Sequence, residues 1–384
     1  MLLLFNMIHY IDELEKKDLK GKRVLLRLDL NAPVLGGEII DTHRLESVIP
    51  TIDFLRQNEA KIIIISHCAG KESETLVPMW HYLNGYFPVE FCSSYFTREA
   101  VDKLLKIEDK GILLFENIRM NQGEEANDLE FAKKLAQMAD IYVNDAFSES
   151  HRPYASIVGV SDFLPHFAGL LFRQEVEHLS KIFQPEHPFV FILGGAKFET
   201  KLPLIKKYLE KADRVFVGGA LSNDIYKTKG YETGASLVSK TVFDTTSIIN
   251  NPKLVLPIDV TVEKDGTVTS KNPEDIAVDE CIVDAGPETL EQIKNLLSNA
   301  KTIVWNGPLG NYEKGFGDKT EKLAEIVALS TASGAMSIIG GGDTLSAISK
   351  LGINHKFSFV STGGGAMIDF LINETLPGVE ALEK

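Results

Sequence analysis

Two segments set three consecutive glycines between an apolar run and a stretch of helical character. They are "SIIGGGDTLSAISKLG" (Ser337–Gly352) and "STGGGAMIDFL" (Ser361–Leu371). Glycine lets the chain turn tightly, and the N–H groups of the helix start then form an anion site. Gly340, Gly341, Gly342 and Gly364 are the candidate donors. The residue after the first triplet is Asp343, a carboxylate where an anion would sit. Its ordinary role would be a helix N-cap. Its chemical role would be a Mg²⁺ ligand, because Mg²⁺ is commonly held by one or two carboxylates plus substrate phosphates.

Three more segments repeat the theme. "LGGAKFETK" (Leu193–Lys201) puts Gly194 and Gly195 before Lys197 and Lys201, which share a face if both are helical. It lacks Walker A spacing, and a tight turn with solvated lysines would also produce it. "VFVGGALSND" offers Gly218 and Gly219 as a flat surface for a nucleobase, or as a plain strand-to-helix turn. "IVWNGPLGNYE" offers Asn306 and Gly307 to phosphate and Glu313 to ribose hydroxyls, or simply a solvated carboxylate. Trp305 reads as core.

The first half has a different vocabulary. Its loops carry Arg27, Asp29, Asn31, Arg44, His67, Arg119, His151 and Arg152, and the last arginine of the chain is Arg214. One such residue is ordinary; several at the ends of neighbouring strands suit an anion pocket for a small acid, because guanidinium forks grip carboxylate and phosphate in two places.

The elements that must position these residues follow one rhythm. "RVLLRLDLNAP", "KIIIISHCAG", "GILLFENIRM", "DIYVNDAFSESHRP" and the five glycine-bearing segments each read as strand, turn and helix start. Runs such as "IIII" are apolar without alternation, as in strands buried on both faces. Strands alternating with helices imply βαβ units and parallel sheets, whose ligands bind beyond the carboxyl ends of the strands. "FLPHFAGLLFRQEVEHLSKIF" (Phe163–Phe183) has helical spacing and is predicted to be a long helix joining two domains, a division that the 384 residues also favour.

Composition narrows the function. With 40 basic against 54 acidic residues the net charge is −14, unfavourable for nucleic acid or an anionic membrane. Cys68, Cys92 and Cys281 form no CxxC pair, which fits a reducing cytoplasm better than a disulfide or zinc framework. No apolar run reaches membrane-spanning length. The start "MLLLFNMIHYIDELEKKD" lacks a basic n-region, and Met7 is a second candidate initiator. GxGxxG, GxSxG, HExxH and the protein-kinase set are all missing, so the chemistry expected is positioning and charge stabilisation, as in phosphoryl transfer.

Taken in order, "RVLLRLDLNAP", "DTHRLESVIPTI", "ISH", "LLFENIRM", "YVNDAFSESHR", "LGGAKFETK", "WNGPLGNYE", "IIGGGDT", "STGGGA" and "LPGVEAL" give the chain a resemblance to the phosphoglycerate kinase family along nearly its whole length. The resemblance implies an α/β fold of two Rossmann-like parallel-sheet domains facing a cleft and joined by a long helix. Residues 1–165 would bind 3-phosphoglycerate, 166–187 would form the helix, 188–368 would bind Mg-ADP or Mg-ATP, and 369–384 would return to the first domain. The reaction implied is reversible phosphoryl transfer between 1,3-bisphosphoglycerate and ADP in a cytoplasmic, glycolytic monomer, with domain closure excluding water.

Residue roles follow from the same resemblance. Arg44 would hold the acid's carboxylate end, and Asp29, Asn31, His67, Arg119 and Arg152 the rest of it. Lys197, Arg44, Gly341 and Gly364 would stabilise the moving phosphoryl group. Lys201, Gly195, Asn306, Thr344, Gly340 and Gly342 would serve the nucleotide phosphates, Glu313 the ribose, Gly218, Gly219 and Pro308 the base region, and Asp343 the Mg²⁺. The pattern departs at three places. "SHCAGK" lacks the arginine of the family's Ser-His-x-Gly-Arg-Pro, with Lys71 the nearest cation; "FSESHR" puts Ser148 and Glu149 where a glycine and a threonine are usual, setting a carboxylate near an anion pocket; "VGGALSND" alters the nucleobase wall. A weak or silent relative that only binds a metabolite or partner is the alternative, and a nicotinamide dehydrogenase a distant third. Intact Asp343, Lys197 and Lys201 speak against the former, and the missing GxGxxG against the latter.

Overall fold

The computed structural model describes residues 7–69, 74–241, 243 and 245–384. The candidate initiator region before Met7 and the Gly70–Lys71 departure therefore lie outside the described residues. The chain divides into two compact units, one running to Glu177 and rejoined by Asn373–Lys384, the other His178–Ile372.

The first unit contains β1 (Arg23–Arg27), β2 (Val34–Leu35), β3 (Glu38–Ile39), β4 (Lys61–Ile65), β5 (Val89–Cys92), β6 (Ile112–Phe115), β7 (Ile141–Asn144) and β8 (His166–Ala168). Six of these form a sheet in the order β5-β6-β4-β1-β7-β8, every pair parallel, and β2 and β3 make a small hairpin. Leu26, Ile62 and Ile64 join the core on one face, and Leu25, Ile63 and Ile65 join the core on the other. Burial on both faces explains why these strands are apolar without alternation.

The second unit contains β9 (Phe189–Leu193), β10 (Arg214–Val217), β11 (Leu254–Val255), β12 (Val260–Lys264), β13 (Thr267–Lys271), β14 (Cys281–Ala285), β15 (Thr302–Asn306), β16 (Met336–Gly340) and β17 (Phe359–Val360). Its main sheet runs β11-β10-β9-β15-β16-β17, all parallel. The order reverses between β9 and β15, and at such a reversal the turns after the strands diverge and leave a crevice for a ligand.

A three-stranded antiparallel sheet, β13-β12-β14, was not anticipated from the sequence. Its signal was present in "EKDGT": Asp265 and Gly266 take φ of 50° and 78°, closing a two-residue hairpin between Lys264 and Thr267.

The helix expected from residue 166 begins instead at Leu170 and runs to Ser180, followed by a 3₁₀ turn at Lys181–Phe183. His166–Ala168 is an edge strand, because its backbone is claimed by neighbours: it pairs with β7, and Ala168 N donates to His9 O at 2.8 Å. Gly169 then packs against Asp145, where a Cβ would come within 2.3 Å of the carboxylate. Among the described residues no helix is long and apolar enough to cross a membrane.

Candidate functional site

The register of the second sheet brings its turns together. Leu193 pairs with Val217 and Asn306, and Asn306 with Gly340, so four strands end level. Four helices start just beyond: Phe198–Lys211, Ala220–Thr228, Gly342–Lys350 and Gly365–Asn373. The residue before each has positive φ: Lys197 (64°), Gly219 (60°), Gly341 (101°) and Gly364 (54°). Their first turns border one cavity of about 740 Å³. First-turn N–H groups lack intrahelical partners and carry the positive end of the helix dipole, so the cavity favours a polyanion.

Lys197 stands alone among those four in having a side chain. A non-glycine residue in the left-handed region costs roughly 1–2 kcal/mol, and such strain gathers where function holds it. Lys197 is therefore a helix cap, not a helical neighbour of Lys201 as its spacing suggested. Its side chain is exposed, whereas Lys201 is buried to 8% exposure with Nζ donating to Gly194 O at 2.7 Å. Burial lowers the Lys201 pKa from 10.5 to about 8, with Lys197 adding to the fall and Asp343 opposing it.

Asp343 is the second residue of its helix, and Gly341 is the cap. The expected N-cap role is thus not taken; the positive φ of Gly341 turns the chain without a side-chain cap. Partial burial and the nearby Glu313 raise the Asp343 pKa, with Lys201 opposing. Two carboxylates that resist sharing a site are a demand for a cation. No group of three or more His, Cys, Asp or Glu able to hold a metal occurs among the described residues. Asp343, on the cavity wall, is a single carboxylate of the kind that can share a Mg²⁺ with ligand phosphates.

Of the residues predicted for the nucleotide, Gly195, Lys197, Lys201, Gly219, Asn306, Pro308, Glu313, Gly341, Gly342, Asp343 and Gly364 line the cavity. Others work behind the wall. Thr344 is fully buried and its Oγ1 accepts from Gly307 N at 2.9 Å, holding the turn after β15. Gly195 N donates to Pro308 O at 2.6 Å, so that N–H is spent inside the protein. Gly218 packs under Phe216 and Leu309, and Gly340 against Met367. Sequence reasoning missed Asp284, Leu237 and Ile282, which also line the cavity. Asp284 lies at the end of β14, so finding it required recognising the hairpin that precedes it. Burial raises its pKa to about 7.

The first unit has its own cluster, again set by register. Arg27 pairs with Ile65 and Asn144, which places the loops after β1, β4 and β7 side by side. Asp29 bonds Arg44 and Ser148 and accepts from Asn31 N at 2.9 Å; His67 Nδ1 lies 4.0 Å from it. Asn31 Oδ1 accepts from Ala69 N at 3.0 Å. Arg119 and Arg152 sit over the Tyr154 ring at 5.6 and 5.8 Å. All six predicted acid-site residues thus fall in one cluster. Burial raises the Asp29 pKa but Arg44 and His67 outweigh it, so the net shift is downward. Burial lowers the His67 pKa despite Glu149 and Asp29. Arg27, wholly buried, donates to Ser156 Oγ at 2.8 Å and Leu28 O at 2.5 Å, and is part of the scaffold.

The comparisons with known proteins agree with one another. The phosphoglycerate kinase family model matches residues 13–374. The phosphoglycerate kinase of Dictyoglomus turgidum is 39% identical over 389 residues, covering 97% of this chain and 98% of that protein. That of Orientia tsutsugamushi (strain Ikeda) is 40% identical, covering 94% and 95%. Among solved structures, phosphoglycerate kinase from Coxiella burnetii has a TM-score of 0.82 at 36% identity, and that from Pyrococcus horikoshii OT3 a TM-score of 0.86 at 30%, each covering 98% of both chains. Family model, relatives and solved structures cover nearly the whole chain, and each unit carries the six-stranded parallel sheet: this chain is a member of the phosphoglycerate kinase family, phosphotransferases that use a nucleotide and a carboxyl-group acceptor.

Proposed function

We propose that the second unit binds Mg-ADP or Mg-ATP in the glycine-walled cavity and the first binds 3-phosphoglycerate or 1,3-bisphosphoglycerate at its arginine cluster. The observation that carries this reading is the meeting of four helix N-termini around a single cavity, with Lys197, Lys201 and Asp343 at the turns that begin those helices. Backbone N–H groups of Gly341, Gly342 and the turn at Gly364 would receive phosphoryl oxygens. Lys201 would hold the nucleotide phosphates. Lys197, held in a strained cap, would place its ammonium against the transferring group. Asn306 would help orient the phosphates, Glu313 would take the ribose, and Gly219 and Pro308 would form part of the base wall.

Asp343 would hold Mg²⁺ jointly with the phosphates, and the bound ion would supply charge neutralisation at their oxygens. Arg44 would hold the acid's carboxylate end, oriented by its bond to Asp29. His67, Arg119, Arg152, Asp29 and Asn31 would fix the remainder. In the direction of acyl phosphate formation, a carboxylate oxygen of 3-phosphoglycerate bonds to the γ-phosphorus as the bond to the β–γ bridging oxygen breaks, and ADP leaves. No side chain serves as nucleophile, so the residues bind, orient and stabilise charge.

We place the enzyme, as a monomer acting on small molecules, in the cytoplasm; its three free cysteines are in keeping with a reducing compartment. The test is ADP formation from ATP and 3-phosphoglycerate with and without Mg²⁺. Mg-dependent, acid-dependent ADP formation is expected, and its absence at saturating acid would overturn the assignment.

A further inference from the structure

The arginines of the acid cluster are not waiting for a ligand; they already hold one. Glu149 closes the 3₁₀ turn Phe147–Glu149 just after β7 and is only 6% exposed. Its Oε2 accepts from Arg119 at 2.6 Å and from Arg152 at 3.2 Å, and its Oε1 lies 3.2 Å from His67 Nε2. One carboxylate thus faces three of the six residues assigned to the acid.

The atoms used are informative. Both arginines bond Glu149 through terminal guanidinium nitrogens, the outward ends of the fork that an incoming anion would grip. Arg119 Nε, the inner nitrogen, instead lies 3.6 Å from Glu125. Glu149 takes one terminal nitrogen of each guanidinium, a donor that an incoming anion would otherwise use. Burial opposes ionisation of Glu149, but His67, Arg27 and Arg119 outweigh it, and its pKa falls well below the ordinary carboxylate range. Set against two permanently charged guanidiniums at 2.6 and 3.2 Å, Glu149 is a counter-anion. Its neighbour Ser148 is likewise committed, to Asp29.

We propose that Glu149 is an internal stand-in for the substrate's anionic group. The phosphate of the acid must displace this carboxylate from Arg119, Arg152 and His67, so Glu149 sets a weak affinity for the acid. The proposal rests on the reading of this cluster as the acid site. A phosphate dianion has the charge and the three oxygens to replace a carboxylate at these donors, whereas a monoanionic carboxylic acid without it gains nothing by the exchange.

The test is calorimetric titration of 3-phosphoglycerate into the nucleotide-free wild type, Glu149→Gln and Glu149→Thr. Removing the stand-in is expected to tighten binding by about tenfold or more in both variants, equivalent to about 1.4 kcal/mol. In steady state the KM for the acid should fall in parallel, while the KM for ATP stays within about threefold, since the nucleotide cavity lies on the other unit. An unchanged KM for ATP also shows that the variants are folded. Equal or weaker acid binding in both variants would overturn the proposal, because a carboxylate that organises the arginines is missed when removed. Tighter binding without phosphoryl transfer in any of the three proteins would support the stand-in and defeat the kinase assignment.

Discussion

Replacing Lys201 with methionine should make the protein more stable at neutral pH while disabling the nucleotide site proposed for its cavity. Lys201 keeps an ammonium at 8% exposure with Gly194 O as a hydrogen-bond acceptor. Burial brings its pKa from 10.5 to about 8, a penalty on the charged form of about 3.5 kcal/mol at about 1.4 kcal/mol per pH unit. Methionine retains most of the stem's packing but forfeits a hydrogen bond contributing about 1 kcal/mol. The net gain expected is about 2.5 kcal/mol, or about 5–10 °C in Tm for a unit of this size. The sign with pH follows from the lowered folded pKa. Below about pH 8 the lysine is charged in both folded and unfolded chains and the penalty is complete; between pH 8 and 10.5 only the unfolded chain holds the proton, so the penalty fades. Thermal unfolding of wild type and Lys201→Met at pH 7 and pH 10 measures the gap, and taking a difference cancels the other titrations. ATP affinity, measured in parallel, should fall by about tenfold or more. A variant less stable than wild type at pH 7, or a gap that does not narrow by pH 10, would refute the account of Lys201 as a desolvated cation held for phosphate.

Lys197→Ala and Arg44→Ala should each lower kcat by about a hundredfold or more, the scale of losing one preorganised charge donor, and wild-type turnover in either would defeat the assignment. Lys197→Gly should show the same loss with a raised Tm, because glycine relieves the positive φ of 64°. Asp343→Asn should weaken Mg-ATP by about tenfold while metal-free ATP binds as well or better, since the amide ends the repulsion with Glu313; calorimetry with and without Mg²⁺ separates these arms. Asp284→Asn should stabilise the protein at pH 7 and above and have little effect near pH 4: burial has raised the folded pKa from 3.8 to about 7, so the cost accumulates between those values, where only the folded chain holds the proton, and is complete above pH 7.

The strands and the glycine turns were legible because their signals are local. An apolar run without alternation followed by two or three glycines states both a buried parallel strand and a backbone that must come close to something. The failures came where neighbours far along the chain decide. His166–Ala168 has helical spacing in sequence, yet β7 and His9 claim its backbone. Lys197 and Lys201 sit four apart, but the helix begins one residue after Lys197, so one lysine is an exposed cap and the other is buried. Asp343 is a good capping residue that does not cap, because a glycine at positive φ two residues earlier makes the turn first. In each case the residue type was informative and its position relative to the helix start was not.

Glu149 marks the boundary of what sequence can say about specificity. As a letter in "FSESHR" it reads as one carboxylate near an anion pocket. Its effect depends on which nitrogens of Arg119 and Arg152 it takes, and those residues reach it from loops after β6 and β7. The sheet register fixes that meeting: β1, β4, β6 and β7 end near one another, so whatever the loops carry is forced into contact. A parallel sheet therefore guarantees an encounter among loop residues but not its sign. Where the second unit's turns meet, helix-start N–H groups and two lysines face the cavity together with Asp343, and these donors are not taken up by a side-chain carboxylate in the way Arg119 and Arg152 are. Where the first unit's turns meet, a carboxylate has entered the circle and bonds two arginines from within. The same architecture thus gathers donors and carboxylates at the strand ends of both units, and in the first a single side chain, Glu149, takes donors that a ligand anion would use.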